Sequence, residues 1–563
     1  MSVKILTPSS IWGNFTHSTS NSYQVISERV EGDIKVSRIY LDTLTTEKGV
    51  VKVFGVMAGA MGVKKQPAVL IIPDVCNRID DKLVLEFAKK GYLALAIDVF
   101  GYAKEREQFT IYPEDLEYAN YENVDINICK EKDVTSSFRY QWTAVAKNAY
   151  NFLKSKSSVS KVCAVGAGLG SGVLWQVGAT EPTISACVFI LNSGWRAYKG
   201  INKFSGAVEP QFSDSELSYI AGVEPQSYAP LVNCPSLMLS ATNNPTYDCD
   251  RAFDTMVRIN HNVYKAVYFS PNCEEVVDCQ AYENMFIFLN EIMLKQKFNQ
   301  ERLLKVPETK IQIEDGKLNI EVDVLEQKIK NISLYLAEKE VNPSLREWKV
   351  KELELDKKTG KYVINYAPHV KAGLVAYFVK ITNKNGYAVT SNVQVKTFKE
   401  EEVKRAHKST VIFSSRKNDS EYLLINAKGA ENNPMHLSYD ETYAVQIKEG
   451  PMEINGAYSK FGLKSFRMNS IKNFLSDNSM LMLDVYAKED CTLTVKLVNL
   501  VNQIKTEYFA CVSIKGGNIW QNVKIETNKF KTQESRVLKT YKDVITIELD
   551  VDKNYLINNV LWV

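Results

Sequence analysis

Histidine is scarce in this chain: the sequence has five among 563 residues, and only His17 and His261 fall within the first 300. Imidazole is the side chain that most readily takes up and returns a proton near neutral pH. An acid–base site built from the first 300 residues alone therefore has two histidines to draw on, and neither is close to a glycine-rich or acidic motif.

Other features are absent as well. The ten cysteines include no Cys-x-x-Cys pair, and most stand alone in apolar runs, which is typical of reduced structural thiols. A net charge of +3 is too small for the concentrated basic face of a nucleic-acid binder, so we predict no nucleic-acid partner. No apolar run reaches the ~18 residues of a membrane span, and none is predicted.

The amino terminus lacks the apolar core of a signal peptide, so the chain as written is expected to be cytoplasmic, or secreted if that terminus was trimmed. Residues 166–171 read Gly-Ala-Gly-Leu-Gly-Ser, with serine where a dinucleotide loop needs its third glycine. No Gly-Lys-Ser/Thr follows, as a Walker loop requires. We predict no cofactor and no metal.

Strands and helices alternate through the first 300 residues, after two alternating edge strands at residues 36–44 and 50–57. This alternation predicts an α/β fold with a doubly wound, mostly parallel sheet. The predicted buried strands are residues 68–72, 92–97, 162–165, 184–191, 236–240 and 266–269, and the predicted helices are residues 80–90, 142–153, 169–175, 251–259 and 281–294.

The turn after the strand at residues 162–165 is the most informative motif. Gly166 and Gly170 stand where glycines flank the nucleophile in the elbow Gly-x-Ser-x-Gly, a sharp strand-to-helix turn. Glycines suit that turn because its backbone is strained and leaves little room for side chains. The position that needs the serine is Gly168, so the scaffold of a hydrolase lacks its reactive atom.

Further segments, at residues 11–15, 91–102, 194–195 and 233–243, resemble the acetyl-xylan-esterase and dienelactone-hydrolase branch of the α/β-hydrolase fold. The resemblance covers about residues 1–297. It implies a carbohydrate-esterase-like serine hydrolase, with a triad in the chain order Ser, Asp, His.

All three triad positions are substituted in this chain. The serine position is Gly168, the acid position is Asn244 in the loop after the strand at 236–240, and the base position is Glu275 after the strand at 266–269. Glycine carries no nucleophile, and an amide cannot stabilise an imidazolium by its charge. We therefore expect no residue to be catalytic by this chemistry.

Five residues are candidates to replace the missing triad groups, and each has a simpler structural interpretation. Ser171 lies about one helical turn past the elbow, and Asp248 and Asp250 fit the first turn of the helix at 251–259. Cys273 lacks a basic partner that would favour its thiolate, and His261 lies between a helix and a strand.

A ligand pocket above the elbow remains plausible on sequence grounds. The loop at residues 112–132 is rich in Tyr, Glu and Asp and would overhang the carboxyl ends of the strands, where such folds bind ligands. A solvated insertion is the alternative interpretation of that loop. The pocket candidates are Leu169, Cys76, Trp142 and Tyr118.

The rest of the chain is predicted to be all β. Short alternating strands in residues 301–400, the first of them predicted at residues 310–324, suggest an immunoglobulin-like sandwich. After a charged linker at residues 399–405, residues 518–525 and 555–563 are similar to galactose-binding-type jelly rolls, which include carbohydrate-binding modules, so residues 401–563 are predicted to be such a domain. The first domain is then residues 1–300. Trp520 and Trp562 are expected in the core of the last domain rather than on a sugar-binding surface.

The favoured hypothesis is a carbohydrate-binding pseudo-hydrolase that holds a carbohydrate or small ester without cleaving it. One alternative is an active acetyl xylan esterase with a non-standard nucleophile. Another is a structural or assembly protein whose pocket is filled. An open pocket lined by Trp and Tyr would favour binding, and a plugged pocket would favour the structural role.

Overall fold

The computed structural model describes residues 6–18, 22–75, 79, 81–104, 106–124, 134–193, 201–208, 211–295, 303–369, 373–403, 410–415, 423–425, 433–440, 442 and 444–563. We refer to residues 6–295 as the α/β domain, to residues 303–403 as the middle β region and to residues 410–563 as the C-terminal β region. Each region is defined by the sheets to which its strands belong. The domain boundaries predicted at residues 300 and 400 stay predictions.

One mixed sheet runs through the α/β domain. Its strands are β1 (Tyr23–Glu31), β2 (Ile34–Thr45), β3 (Val50–Ala60), β4 (Gln66–Ile72), β5 (Leu93–Ile97), β6 (Val159–Ala167), β7 (Cys187–Ile190), β8 (Ser236–Ala241) and β9 (Lys265–Ser270). They lie in the order β1-β2-β3-β5-β4-β6-β7-β8-β9. The first three strands pair antiparallel, and β5 through β9 run parallel. The parallel strands are buried on both faces, which explains their continuous apolar sequences.

Helices cover both faces of this sheet, as the alternation predicted. They are α1 (Pro8–Trp12), α2 (Asp81–Lys89), α3 (Phe138–Ser155), α4 (Gly168–Thr180), α5 (Asp214–Val223), α6 (Pro225–Tyr228), α7 (Cys249–Met256) and α8 (Cys279–Met293). The apolar residues of α2 and α8 belong to one core cluster, and those of α3, α4 and α7 belong to the cluster on the opposite face.

The predicted strands and the longer helices of this domain are confirmed to within a few residues, and four elements were not predicted. These are β1, α1, α5 and α6. The single strand predicted at residues 310–324 is wrong, because it is two strands joined by a tight turn. Asp315 and Gly316 form that turn with φ values of +50° and +74°, the conformation that an Asp-Gly hairpin requires.

Antiparallel sheets fill the rest of the described chain. The middle β region contains β10 (Glu308–Glu314), β11 (Lys317–Asp323), β12 (Ile329–Glu338), β13 (Lys349–Lys351), β14 (Glu354–Leu355), β15 (Tyr362–Tyr366), β16 (Gly373–Asn383), β17 (Ala388–Thr390) and β18 (Gln394–Phe398). One sheet is β10-β11-β15-β14 and the other is β13-β12-β16-β17, with β18 also paired to β16.

The C-terminal β region is built in the same way. Its strands are β19 (Val411–Ser414), β20 (Leu424–Ile425), β21 (Gln446–Glu449), β22 (Asn455–Tyr458), β23 (Leu463–Ser465), β24 (Met480–Ala487), β25 (Cys491–Val501), β26 (Ile504–Ile514), β27 (Gln521–Glu526), β28 (Val544–Val551) and β29 (Tyr555–Trp562), with the short helix α9 (Met468–Ile471). They form the sheets β21-β22-β29-β24-β27, with β19 paired to β29, and β20-β23-β28-β25-β26. The immunoglobulin-like and jelly-roll assignments stay predictions.

The core of the α/β domain continues into both β regions. The cluster under α2 and α8 includes residues of the middle β region and also Met435 and Leu437, which precede β21. The segment at residues 433–440 therefore packs on the α/β domain, although it is far from that domain in sequence. No helix in the described ranges is long and apolar enough to cross a membrane.

Candidate functional site at the glycine elbow

The elbow has the backbone that the sequence predicted. β6 ends at Ala167, and α4 begins at Gly168, whose φ of +50° lies in the left-handed region. A Cβ atom on Gly170 would lie 2.3 Å from the carbonyl oxygens of Ile72 and Pro73, and one on Gly166 would lie 2.8 Å from the carbonyl oxygen of Gly170. Both flanking glycines are thus required by close backbone approach.

A carboxylate occupies the place where a nucleophilic side chain would stand. A Cβ atom built on Gly168 would lie 2.1 Å from the carboxyl carbon of Asp74. Asp74 follows β4, the neighbour of β6 in the sheet, and its side chain therefore reaches the same carboxyl edge. Any residue larger than glycine at position 168 would displace this carboxylate.

Two backbone N–H groups hold the carboxylate of Asp74. The N–H of Leu169 and the N–H of Val75 each donate to Oδ1 of Asp74 at 2.8 Å. In hydrolases with this elbow, the oxyanion hole consists of two backbone N–H groups. One belongs to the residue after the nucleophile, and the other belongs to the loop that follows a neighbouring strand. Leu169 lies in the first turn of α4, where the helix dipole also favours a negative charge. The described site thus has an oxyanion-hole geometry that is filled by the chain's own carboxylate.

The other oxygen of Asp74 bonds to a histidine of the C-terminal β region. Nε2 of His436 lies 2.8 Å from Oδ2 of Asp74, and Nδ1 of His436 lies 2.8 Å from the carbonyl oxygen of Glu275. Both partners are acceptors, so the doubly protonated imidazolium satisfies both contacts and the neutral ring satisfies one. Burial lowers the pKa of His436, but the hydrogen bond and the charge of Asp74 outweigh it, and the net shift is upward.

Local backbone contacts place His436. Its φ of +52° is in the left-handed region, where histidine is tolerated better than most residues. The N–H of Val277 donates to the carbonyl oxygen of His436 at 2.8 Å, and the N–H of Ser438 donates to that of Val277 at 3.0 Å. The N–H of Asp74 donates to the carbonyl oxygen of Pro434 at 2.7 Å. The segment is therefore bonded to the loops after both β4 and β9.

The other two triad positions perform structural tasks. The amide of Asn244 donates to the carbonyl oxygen of Glu274 at 2.8 Å, and its Oδ1 accepts from the N–H groups of Thr246 and Tyr247. Asn244 thus ties its own loop to the loop at the base position. Glu275 contributes its backbone carbonyl to the ring of His436. That contact orients the imidazole, the task that a carboxylate has in a triad.

The predicted pocket residues do not converge. Leu169 is at the elbow, but Trp142 is 1% exposed in the core, where its Nε1 donates to the carbonyl oxygen of Ala119 at 2.8 Å. Tyr118 lies at the surface, and its hydroxyl accepts from Gln141 at 3.0 Å. Trp142 as a pocket residue is therefore corrected: its helical face packs on the sheet. Cys76 lies outside the described residues.

The candidate replacements do not form a reactive centre either. Ser171 is buried and donates to the carbonyl oxygen of Leu191 at 3.1 Å, and burial raises the pKa of the Cys273 thiol well above its usual range. Asp250 is fully buried against Arg346 of the middle β region, at 2.5 and 2.7 Å. Asp248 caps the start of α7 as predicted, and His261 is exposed.

Little space is left beside the elbow among the described residues. The cleft next to Asp74 has a volume of about 10 Å³ and is lined by Ile79, Asp98 and Arg106 among others. Such a volume suffices for one water molecule. The carboxylate of Asp98 already accepts hydrogen bonds from Arg106 at 2.6 Å and from the N–H of Thr110 at 2.7 Å.

Sequence reasoning missed the two residues that occupy the site. Asp74 was overlooked because it takes part in no triad of this fold. His436 was overlooked because the search for a base ended with the α/β domain, and 362 positions separate it from Asp74. The scarcity of histidine was the one available signal, since it draws attention to every imidazole outside the first 300 residues.

Comparison with known proteins agrees with this architecture. The model of the Dienelactone hydrolase family matches residues 53–193, which include β4, Asp74 and the elbow. This part of the chain is α/β-hydrolase-like. No curated protein matches the chain.

Solved structures similar to the chain include two acetyl xylan esterases. That of Paenibacillus sp. R4 has 17% identity over 51% of this chain and 92% of its own, with a TM-score of 0.41. Acetyl xylan esterase 1 from Thermoanaerobacterium sp. JW/SL YS485 has 14% identity over 48% of this chain and 87% of its own, with a TM-score of 0.38. A putative dienelactone hydrolase from Klebsiella pneumoniae subsp. pneumoniae MGH 78578 has 14% identity over 48% and 92%, with a TM-score of 0.29.

Proposed function

We propose that this chain is an esterase-like pseudo-hydrolase whose former reaction centre holds the C-terminal β region on the α/β domain. In this view the carboxylate of Asp74 and the imidazolium of His436 form a clasp, defined here as these two side chains and their hydrogen bonds. The clasp serves assembly rather than acyl transfer. The observation that carries the proposal is the carboxylate of Asp74 bonded to the N–H groups of Leu169 and Val75.

Three requirements of acyl transfer are unmet at this elbow. Gly168 offers no oxygen or sulfur for attack. The oxyanion donors already bind a negative group, so a second oxyanion would have to displace Asp74 against its charge. In the proposed clasp both ring nitrogens of His436 donate, to Asp74 and to the carbonyl oxygen of Glu275, which leaves no lone pair to accept a proton. Each failure alone would suppress ester cleavage, and together they favour a structural task.

Other contacts of the same region support the assembly role. Leu437 forms a bridge with Val277, and Lys464 of β23 donates to Glu274 at 2.7 Å. Lys82 of α2 pairs with Asp440 at 2.8 Å. The clasp is therefore the partly buried centre of an interface that includes the loop after β9, with the His436 and Asp74 side chains 13% and 16% exposed.

Carbohydrate binding at the elbow, which the sequence favoured, receives no support from the described geometry. Trp142 faces the core, and the cleft beside Asp74 is too small for a sugar ring. In the C-terminal β region, Trp562 is 1% exposed, and Nε1 of the half-buried Trp520 donates to the carbonyl oxygen of Pro451 at 3.1 Å. The alternative of a filled, structural elbow is therefore the one we adopt.

Esterase assays of the full chain test the proposal. We expect no turnover of p-nitrophenyl acetate or of acetylated xylo-oligosaccharides above the buffer rate, and no labelling by a fluorophosphonate. Turnover that disappears in Asp74→Asn and in His436→Asn, but persists in Ser171→Ala, would establish a carboxylate-based hydrolase and overturn the proposal. Turnover or labelling that disappears in Ser171→Ala would identify that serine and overturn it as well.

A second experiment tests whether the carboxylate is what fills the hole. The variant Asp74→Ala with Gly168→Ser vacates the donors and supplies a hydroxyl near His436. We expect slow fluorophosphonate labelling of the double variant, and none of Asp74→Ala alone. A folded double variant that takes no label would contradict the assignment of Leu169 and Val75 as oxyanion-hole donors.

A further inference from the structure

A second cavity lies at the opposite end of the same sheet. It has a volume of about 200 Å³ and borders the first residues of β9, the strand at the sheet's edge. Met256 of α7 and Tyr264, Ala266 and Val267 of the β9 segment form its walls, and each of them is at most 3% exposed to solvent.

The size and lining of this cavity suit an apolar group. An engineered protein cavity of about 150 Å³ with purely apolar walls binds benzene, so the volume here is sufficient for a small apolar group. Binding pockets for small molecules are mostly apolar, with a few polar groups that orient the ligand. The hydroxyl of Tyr264 does not supply such a group, because it is committed to the carbonyl oxygen of Leu304 at 2.7 Å and to Tyr387 at 3.0 Å. The aromatic ring of Tyr264 therefore contributes only apolar surface to the cavity wall.

The polar groups at this cavity favour an anion. His261, Lys265 and Lys305 are the lining side chains that can carry a positive charge, and no carboxylate is among the lining residues. Nζ of Lys265 is bonded to the carbonyl oxygens of Val257 and Ile259, at 2.9 and 2.5 Å, and neutralises the end of α7. Lys305 and His261 are exposed and free to meet a ligand's charge at the rim.

The edge of β9 adds a backbone donor. The N–H of Ser236 in β8 donates to the carbonyl oxygen of Tyr264. In this parallel pairing the backbone N–H and C=O groups of Ala266 therefore point to β8, and those of Lys265 and Val267 point away from it. The outward carbonyl oxygen of Val267 accepts from the hydroxyl of Thr390 at 3.2 Å. The N–H of Val267 points to the same outer edge, which the cavity borders.

We propose that this cavity binds an organic carboxylate with a short apolar chain, its chain between α7 and β9 and its carboxylate near Lys305 and His261. The apolar walls select the chain, and the basic rim selects the negative head. This site is independent of the elbow, so its presence or absence does not bear on the clasp.

Calorimetric titration of the full chain with octanoate, 1-octanol and octylammonium tests the proposal. We expect saturable binding of octanoate at one site, weaker binding of octanol and none of octylammonium. Equal binding of octanoate and octylammonium would show that the cavity does not select a negative charge. The absence of saturable octanoate binding would show that the cavity is not a binding site for it. Either result overturns the proposal.

Variants locate the site. Val267→Phe adds bulk on the α7 side of β9 and should abolish octanoate binding, and Val263→Trp should do the same from the half-buried wall if Val267→Phe fails to fold. Lys305→Glu should weaken octanoate binding about tenfold while leaving octanol binding unchanged. Lys529→Glu, an equally exposed charge reversal in the C-terminal β region, is the control. Octanoate binding that persists in both cavity-filling variants, or that falls equally in Lys529→Glu, would place the ligand elsewhere and contradict the proposal.

Discussion

The two ends of the nine-stranded sheet differ in what fills them. At the carboxyl end, where open α/β sheets usually bind ligands, side chains from both β regions are bonded to the loops: His436 to Asp74 and Arg346 to Asp250. At the amino end, beside β9, about 200 Å³ stays open between apolar walls. Under the proposed function, the fold's usual ligand site serves assembly, and the open space lies at the opposite end of the sheet.

This difference teaches that the backbone of a nucleophile elbow can form without the side chain of a nucleophile. Gly166, Gly168 and Gly170 keep the elbow, and the N–H groups of Leu169 and Val75 still converge on one oxygen. The same donors that could stabilise an oxyanion also bind a permanent carboxylate, because both groups carry negative charge at the same place. What decides between catalysis and clasp is the side chain that the neighbouring loop supplies.

The largest expected effect comes from the fully buried pair at the carboxyl end. Arg346→Met should lower the free energy of unfolding by about 3–5 kcal/mol, because it leaves the carboxylate of Asp250 buried without its partner. Urea denaturation followed by tryptophan fluorescence measures the change. Arg536→Met is the control, since Arg536 is 73% exposed and its pair with Glu534 lies at the surface. A loss equal to that of the control would mean that the middle β region does not depend on this bond.

The second effect concerns the space at the elbow. Gly168→Ala should cost about 2–4 kcal/mol, because the new methyl group overlaps Asp74 and the residue has a positive φ. Gly360→Ala is a matched control: its φ is +72°, no atom lies near its missing Cβ, and its cost should be about 1 kcal/mol. In an Asp74→Ala background the cost of Gly168→Ala should fall toward the control value. Equal costs in both backgrounds would mean that the carboxylate does not fill the elbow.

The third effect is the pH dependence of the clasp. The folded pKa of His436 is raised above its unfolded value, so its contribution is fully present below about pH 6.5, the ordinary histidine value, and is lost as the pH rises through the folded pKa. Urea titrations from pH 6.5 upward should therefore show falling stability in the native chain. His436→Asn, which tolerates the same backbone conformation, should remove about 1–3 kcal/mol at low pH and flatten that slope.

The exposed His261 provides the control for this titration. His261→Asn makes the same side-chain change at the surface, where no ion pair of His261 is found among the described residues. A native chain whose stability does not change between pH 6.5 and the alkaline side of the histidine range would contradict an imidazolium at the elbow.

The sequence predicted the fold of the α/β domain better than its site. Apolar runs such as that of β6 identify buried parallel strands, and the three glycines identify the elbow, because both signals are local. The hairpin at Asp315 and Gly316 was also a local signal, and it was missed because the flanking alternation was read as continuous. The edge strand β1 escaped because its side chains are exposed throughout, so no burial pattern marks it.

The site could not be predicted in the same way. Asp74 and His436 meet only because the C-terminal β region packs on the α/β domain, and nothing in either local sequence encodes that contact. The substitutions at Gly168, Asn244 and Glu275 pointed to a changed function, but they could not say what occupies the place of the lost groups. The three-dimensional arrangement supplies that answer: Asp74 and His436 occupy the place, and the backbone carbonyl of Glu275 orients the ring of His436.

The smallest expected effect sharpens the contrast between the two ends. Lys305 is an exposed residue at the amino-end cavity, so Lys305→Glu should change the free energy of unfolding by less than about 0.5 kcal/mol, as surface substitutions usually do. In the presence of saturating octanoate, the native chain should gain stability by mass action, and Lys305→Glu should gain less at the same concentration. His436→Asn should lose stability without octanoate but gain as much from it as the native chain does. If the stabilisation by octanoate depended on His436, the two ends of the sheet would be coupled. Equal stabilisation of the native chain and His436→Asn would support the view that assembly and ligand binding use opposite ends of one sheet.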